Sequence, residues 1–350
     1  MRIAQVAPLF ESVPPASYGG TERVVSYLTE TLVAQGHDVT LFASGDSVTR
    51  AHLVECCSRP LRTDKTCQDP LAHQIRQLEL VSRSADQFDL IHFHTDFMHF
   101  PLSRRQCTPH VTTLHGRLDL PDLTPLYQEF SDIPVVSISN AQRRPLPWLD
   151  WRGTVYHGLP PDLYHLGSGD GGYFAFLGRL SAEKRVDRAI EIAERVGMRL
   201  KVAAKIDPRD ALYYQEVVRP LLKSPLVEFV GEIGEADKEE FLGRARVLLF
   251  PIDWPEPFGL AMVEALACGT PVIAFRHGSV PEVLEDGVTG FVVDKVEEAV
   301  AAVERIGTLS RPRCRQAFTR RFSVEAMVQG YREVYADVIG ARQISSARAA

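Results

Sequence analysis

The chain has 350 residues, 45% of them hydrophobic and 24% charged, with a net charge of −6. These are the proportions of an ordinary globular protein, not of a disordered, fibrous or strongly basic nucleic-acid-coating one, and the length calls for two domains. No apolar run reaches the roughly 18 residues that span a bilayer, and the six cysteines show neither paired zinc spacing nor the density of a disulfide scaffold.

Strands and helices alternate from the start, which argues for parallel sheets. RIAQVA (2–7) reads as a strand with no signal-peptide core around it, so a cytosolic protein with reduced thiols is expected. The loop LFESVPPASYGG (9–20) leads into the amphipathic helix TERVVSYLTETLVAQ (21–35), closed by Gly36 before the strand DVTLFAS. This is a βαβ unit of the dinucleotide-fold type, but without G-x-G-x-x-G. Gly19 and Gly20 bring bare backbone to the N-terminus of that helix; a plain flexible turn is the other reading.

Residues 44–87 are polar, irregular and then helical, and DLIHFH (89–94), HVTTLH (110–115), PVVSIS (134–139) and GTVYHG (153–158) are the next strands. His92 and His94 share one face of their strand, so with Asp96 they could hold a metal and open a metal-dependent hydrolase site. Such a site needs further ligands at later strand ends, and no ordered set follows. A place for His94 or Asp96 beside an acceptor is the other reading. His115 ends its strand, where an imidazole can bond a hydroxyl. Trp148 and Trp151 read as core, with stacking on a sugar or lipid as the alternative. LPPDLYHLGSGDGG (159–172), rich in glycine and proline, reads as an interdomain linker.

The second half restarts the alternation. Strand YFAFLG (173–178) leads to a helix over 182–196, RLKVAA (199–204) to a helix near 209–220, and LVEFVG (226–231) to a helix near 236–244. RVLLF (246–250) is followed by PIDWPEP, the helix FGLAMVEALAC (258–268), Gly269 as its stop, and TPVIAF. A helix at 280–285, the strand GFVVD (290–294), a helix at 296–307 and a last helix at 323–340 complete the chain, with ARQISSARAA frayed beyond it.

Three stretches of this half carry chemistry. Gly178, Arg179 and Lys184 lie where its first strand meets its helix, with Ser181 as N-cap and Lys184 in the first turn. Cations there oppose the helix dipole unless an anion sits between them, and Arg179 and Lys184 suit a diphosphate. In the helix 258–268 every residue from Leu260 to Cys268 is apolar or small except Glu264, and Glu256 stands eight residues before it. A carboxylate in a buried helix must find partners. The N–H groups of Phe258, Gly259 and Leu260 open that helix and form a cradle for an anion. An anion seat flanked by two hydroxyl acceptors describes a nucleotide sugar. Lys205, at the end of KVAAK, could also reach such a donor.

PEPFGLAMVEALACGTPVIAF resembles the E-x7-E signature of retaining GT-B glycosyltransferases of family 4, in which E-x-F-G-L-x-x-x-E-A-x-A-x-G-x-P-V recurs. The segment from Gly178 is similar to that family's G-R-x-x-x-x-K-G phosphate clamp, with Arg185 in place of the last glycine. The resemblance implies an α/β protein of GT-B type: two facing Rossmann-like domains, 1–158 for the acceptor and 173–322 for the donor, joined by 159–172, with a C-terminal helix at 323–340 crossing back to the first. It implies that the Y-G-G-x-E loop with Gly19 and Gly20 lies near the donor phosphates, that Ile233 contacts the nucleobase, and that His115 lines the sugar pocket. Glu264 would bind the ribose diol and Glu256 the sugar hydroxyls, and the cleft would close on the donor.

The expected activity is retaining transfer of a hexosyl group, glucose favoured, from a nucleoside diphosphate sugar, UDP favoured over GDP. The acceptor would be a saccharide, a lipid-linked saccharide or a small-molecule hydroxyl. His115, Glu256, Arg179 and Lys184 carry the reaction in this reading, with no cofactor, no metal and no nucleic-acid partner. Peripheral membrane association stays open, although the mildly acidic first 157 residues speak against a basic docking face. The metal-dependent hydrolase, a sugar-nucleotide epimerase of related fold and a non-catalytic sugar-nucleotide sensor remain as rivals.

Overall fold

The structure, a computed structural model, describes residues 1–16 and 19–349, with side chains as far as Ala341. It divides into two compact units, Met1–Pro160 with Val324–Ala350, and Pro161–Ser323. Ser17 and Tyr18 of the first glycine loop lie outside the described residues.

The first unit is built on seven strands: β1 (Arg2–Val6), β2 (Asp38–Ser44), β3 (His52–Cys57), β4 (Leu90–Phe93), β5 (His110–Thr113), β6 (Val135–Ser137) and β7 (Trp151–Thr154). They pair in the order β3-β2-β1-β4-β5-β6-β7, every pair parallel. A parallel sheet is covered on both faces, and β4 and β6 are accordingly buried at every position. The strand β3 was not legible as one. HLVECC sits at the sheet edge and is half exposed, so its polar residues fit there and hide the apolar run a central strand would show. The last strand lies at Trp151–Thr154, ahead of the expected 153–158, because Trp151 is drawn inward by its Nε1 bond to the Leu146 carbonyl at 2.9 Å. Trp151 packs with the core, whereas Trp148 is 41% exposed.

The final helix, Val324–Ala349, packs against the helix Gly20–Ala34 and against β5 and β7. It comes close to the sheet because a Cβ on Gly330 or Gly153 would already stand 3.2 Å from Val155 or Val334. Tyr331 and Tyr335 on its inner face are fully buried. The helix continues through Ala349, so the tail expected to fray remains helical. No described helix is long and apolar enough to cross a membrane.

The second unit has six strands: β8 (Tyr173–Arg179), β9 (Arg199–Lys205), β10 (Val227–Gly231), β11 (Val247–Phe250), β12 (Val272–Phe275) and β13 (Gly290–Val293). Their order is β10-β9-β8-β11-β12-β13, again all parallel. Phe174, Phe176, Ile190, Val202, Leu249 and Ile273 form the centre of its core. The expected helix near 209–220 is broken and widens to a π turn over Tyr214–Val218, just before Pro220 removes a donor from the ladder.

The stretch 159–172 departs from its reading as a linker. From Pro161 on it belongs to the second unit, and the N–H groups of Gly167, Gly169 and Gly171 bond the carbonyls of Cys268, Gly243 and Arg244 at 2.9, 3.0 and 2.8 Å. Arg311 bonds two of these carbonyls, Gly243 and Cys268, as well as those of Gly167 and Ala245. A Cβ at Gly167 would stand 2.2 Å from the Gly243 oxygen. Glycine here permits close packing of backbone on backbone, not slack.

Candidate active site

The strand β11 is buried throughout and delivers the chain into the turn 251–259 at its C-terminal end. Gly259 turns left-handed there (φ 82°) and starts the helix Leu260–Ala267, whose first N–H groups have no partner within the helix. Glu264, 4% exposed in that helix, is met by Lys238 from the helix Glu235–Gly243, with Nζ 2.6 Å from Oε1. Glu256, 7% exposed in the turn, has Oε2 held by both Lys184 Nζ and Trp254 Nε1, the latter at 3.0 Å. Lys184 also lies over the Trp254 ring, 4.9 Å from its centroid. Each carboxylate therefore has one oxygen tied down, while Glu256 Oε1 and Glu264 Oε2 accept no bond among the described residues.

The turn is fixed from behind. Ser279 donates its N–H to the Glu256 carbonyl at 2.9 Å and its hydroxyl to the Phe258 carbonyl at 2.8 Å. Gly278 (φ 54°) allows this, because a Cβ there would stand 2.3 Å from the Glu256 oxygen and 2.4 Å from its nitrogen. Asp253 N–H donates to the Glu183 carbonyl at 2.8 Å, joining the turn to the segment 179–185.

That segment differs from its reading. The helix begins at Val186, not at Ala182, and Ser181 Oγ makes no capping bond; Ser181–Lys184 form a separate turn with Lys184 N–H on the Ser181 carbonyl at 3.0 Å. The physical reason is Arg185, whose left-handed backbone (φ 52°) stops the turn from running into the helix. This is the position where the family pattern has glycine, so the conformation that glycine favours is kept by an arginine. Its guanidinium is held by Asp187 and Asp253, both at 2.8 Å. Arg179, at the end of β8 after Gly178, lies 3.0 Å from Asp210 and 3.3 Å from Glu183. Lys205 ends β9 directly beside it in register. Ile233 is partly buried in the loop after β10, next to Gly231 (φ 86°).

In the first unit, Gly20 starts the helix Gly20–Ala34 with Gly19 (φ 148°) before it. Glu22 in its first turn is buried, and burial lifts its carboxyl to about 7. His92, His94 and His115 meet at the ends of β4 and β5. His94 Nδ1 is 2.9 Å from His115 Nε2 and its Nε2 is 2.9 Å from Gln5 Oε1; His92 is bonded to Tyr335 at 2.8 Å and Thr113 at 2.7 Å. Burial lowers the pKa of all three, that of His115 to about 3. Asp96 stands beside them with a left-handed backbone (φ 49°), and burial raises its carboxyl to about 6. All four ring nitrogens of His92 and His94 are taken by protein groups, so this arrangement leaves the pair no lone pair for a metal, and the hydrolase reading fails on that geometry.

Thus Gly178, Arg179, Lys184, Lys205, Ile233, Glu256, Phe258, Gly259, Leu260 and Glu264 gather at the C-terminal edge of the second sheet, where open α/β sheets bind ligands. Gly19, Gly20 and His115 belong to the first unit. Sequence reasoning missed Lys238, Trp254, Gly278 and Gln5. Trp254 and Gly278 lie just before and just after the motif and could have been found by asking what fixes its turn. Lys238 and Gln5 carry no local signal.

Two family models match the chain, "Glycosyltransferase Family 4" over residues 18–152 and "Glycosyl transferases group 1" over residues 166–319. An uncharacterized glycosyltransferase of Methanocaldococcus jannaschii is 25% identical over 73% of this chain and 77% of its own length. The alpha-maltose-1-phosphate synthase of Mycobacterium tuberculosis is 29% identical over 46% of this chain, and the match spans about half (48%) of that enzyme. Among solved structures, sucrose-phosphate synthase from Thermosynechococcus elongatus superposes with a TM-score of 0.80 at 20% identity, covering 97% of this chain and all (100%) of that one. Anabaena HepE, solved in complex with UDP and glucose, gives 0.73 at 19% identity, covering 96% and 100%. Both structural likenesses establish a shared GT-B fold.

Proposed function

The chain belongs to glycosyltransferase family 4 and has the GT-B fold, and from that premise we propose that it moves a hexosyl group, glucose favoured, from a nucleoside diphosphate sugar to an acceptor hydroxyl with retention and without a divalent metal. The observation that carries this reading is the pair of half-used carboxylates, Glu256 and Glu264, each with one oxygen on a lysine and one unengaged, flanking a helix N-terminus. UDP is favoured over GDP as the carrier, and a saccharide, lipid-linked saccharide or small-molecule hydroxyl is the acceptor, in polysaccharide or glycoconjugate synthesis. HepE, of the same fold, was solved with UDP and glucose, which supports the choice of donor.

In this mechanism Glu264 Oε2 accepts from the ribose diol and Glu256 Oε1 from hydroxyls of the sugar. Lys184 spends one N–H on Glu256 and keeps two for the diphosphate. As the bond from the anomeric carbon to the phosphate oxygen breaks, negative charge grows on the leaving group. Lys184, Arg179 and the N–H groups at the start of the helix Leu260–Ala267 stabilise it, a contribution on the order of several kcal/mol. The acceptor oxygen bonds the anomeric carbon on the same face, and its proton passes to the leaving phosphate. His115 is the proposed partner of a sugar hydroxyl.

A donor and acceptor screen in excess EDTA, with NMR of the first-formed product from an α-linked donor, tests this. An α-linked product formed without metal is expected. A β-linked product, or activity that returns only with Mg2+ or Mn2+, overturns it.

A further inference from the structure

A line of hydrogen bonds runs through the first unit from His115 to the final helix. His115 Nε2 meets His94 Nδ1 at 2.9 Å, and His94 Nε2 meets Gln5 Oε1 at 2.9 Å. Gln5 Nε2 donates to Tyr335 OH at 3.1 Å, Tyr335 OH meets His92 Nδ1 at 2.8 Å, His92 Nε2 meets Thr113 Oγ1 at 2.7 Å, and Thr113 Oγ1 meets Tyr331 OH at 3.0 Å. Gln5, His92 and Thr113 are completely buried.

A neutral imidazole has one N–H and one lone pair, so each ring passes a fixed polarity to the next. Gln5 Oε1 only accepts, which puts the proton of His94 on Nε2 and leaves Nδ1 to accept. His115 must then donate from Nε2, and its Nδ1 is bare. That nitrogen is buried and has no partner among the described residues. In the other direction Gln5 Nε2 donates to Tyr335, Tyr335 to His92, His92 to Thr113 and Thr113 to Tyr331, so each of these links has one donor and one acceptor. Burial keeps the three rings uncharged, which is the condition for this relay to hold one polarity.

We propose that Gln5 and His94 are positioning residues that set His115 as a hydrogen-bond acceptor, so that its Nδ1 receives the proton of a hydroxyl on the donor sugar. The inference rests on the reading of His115 as a sugar ligand. It also sets a specificity: the hydroxyl it reads must donate. Replacing that hydroxyl by fluorine, which bears lone pairs and no proton, weakens binding at least as much as deleting it.

The ring-nitrogen NMR spectrum of the full chain labelled with 15N-histidine tests the relay directly, with His115 assigned by its loss in His115→Gln. The wild type should show His115 protonated at Nε2 and bare at Nδ1; a proton on Nδ1 overturns the proposal without any variant. In Gln5→Leu the His115 signals should split between two tautomers and the KM for donor should rise about tenfold, with kcat changed less. Gln5→Glu, which still accepts from His94, should keep the wild-type tautomer and restore KM. Equal behaviour of the two variants overturns the proposal, and the wild-type spectrum decides alone if either fails to fold. Added donor should shift the Nδ1 signal. A correct tautomer with no response to donor removes His115 from the sugar site, which separates failure of that reading from failure of the relay.

Discussion

In the second unit each buried site carboxylate has a lysine on one oxygen, Lys184 on Glu256 and Lys238 on Glu264. In the first unit the buried site groups are histidines held uncharged and bonded to an amide, two hydroxyls and each other, with His115 Nδ1 left over. The difference separates two ways of keeping polar groups inside a protein. An ion pair offsets desolvation by local attraction and fails if either partner goes, because a lone buried charge remains. A neutral network needs no partner charge, but every member must be in place and uncharged at once.

The largest effect should come from breaking the ion pair on Glu256. Lys184→Met leaves that carboxylate without its cation and should cost about 3 kcal/mol, the low end for a buried pair because the lysine side chain is 21% exposed. Transfer should fall about 10²–10³-fold through loss of charge stabilisation at the leaving group. Adding Glu256→Gln to Lys184→Met should recover most of the stability and none of the transfer. Urea midpoints and initial rates on wild type and the two variants check this. A Lys184→Met protein as stable as wild type would show that the pair is not the support described here.

The neutral network should break by acid. His92, His94, His99, His115 and His157 all have pKa values pushed below the ordinary 6.5 by burial, His115 to about 3. Below 6.5 the unfolded chain binds protons that the folded unit refuses, so stability is present above that pH and is lost as pH falls through it. Each ring contributes at most about 1.4 kcal/mol per pH unit. Glu22 at about 7 and Asp96 at about 6 act in the opposite sense, since the folded unit holds their protons longer, but two carboxyls do not offset five rings. Of the histidines of the second unit, His165 is exposed and His277 partly exposed. In Trp254→Phe the remaining tryptophans, Trp148 and Trp151, report the first unit alone. Their urea midpoint should drop steeply between pH 6.5 and 5. A flat midpoint over that range contradicts uncharged buried rings.

A smaller effect is expected at Glu264. Lys238→Met and Glu264→Ala should each weaken UDP binding about tenfold and change kcat less. Because the two side chains act as a unit, the double variant should bind no worse than the weaker single one. Additive losses by calorimetry would separate them.

The same contrast explains how much could be read from the sequence. Glu256, Glu264 and the helix between them lie within nine residues, so one strand–turn–helix unit shows most of that site. Even there, the lysine on Glu264 comes from a helix 26 residues away and carries no mark of its task. The first-unit network joins residues 5, 92, 94, 113, 115, 331 and 335, which only the parallel sheet and the returning helix bring together. His92 and His94 suggested a metal because a sequence shows ring nitrogens but not what already occupies them. Glycines misled in the same way at 159–172, where composition looked like slack and the backbone is close-packed.

The smallest predicted change sharpens the comparison by asking what a charge in the second unit is worth when water reaches it. Arg185 sits beside Lys184 and pairs with Asp187 and Asp253, but its side chain is 27% exposed and that of Asp253 is 41% exposed. Pairs of that kind contribute about 0.2–1 kcal/mol each, unlike the pairs on Glu256 and Glu264. Its left-handed backbone costs a non-glycine residue about 1 kcal/mol, which glycine would not bear. Arg185→Gly relieves that strain while losing the two pairs, so its stability should stay within about 1 kcal/mol of wild type. Arg188 still holds Asp253 at 2.9 Å, which keeps the turn 251–259 in place and transfer near wild type. Arg185→Ala loses the same pairs without the relief and should be less stable than the glycine variant, by about 1 kcal/mol. The inverted order, alanine above glycine in urea midpoint, would mean that the left-handed turn is not strained.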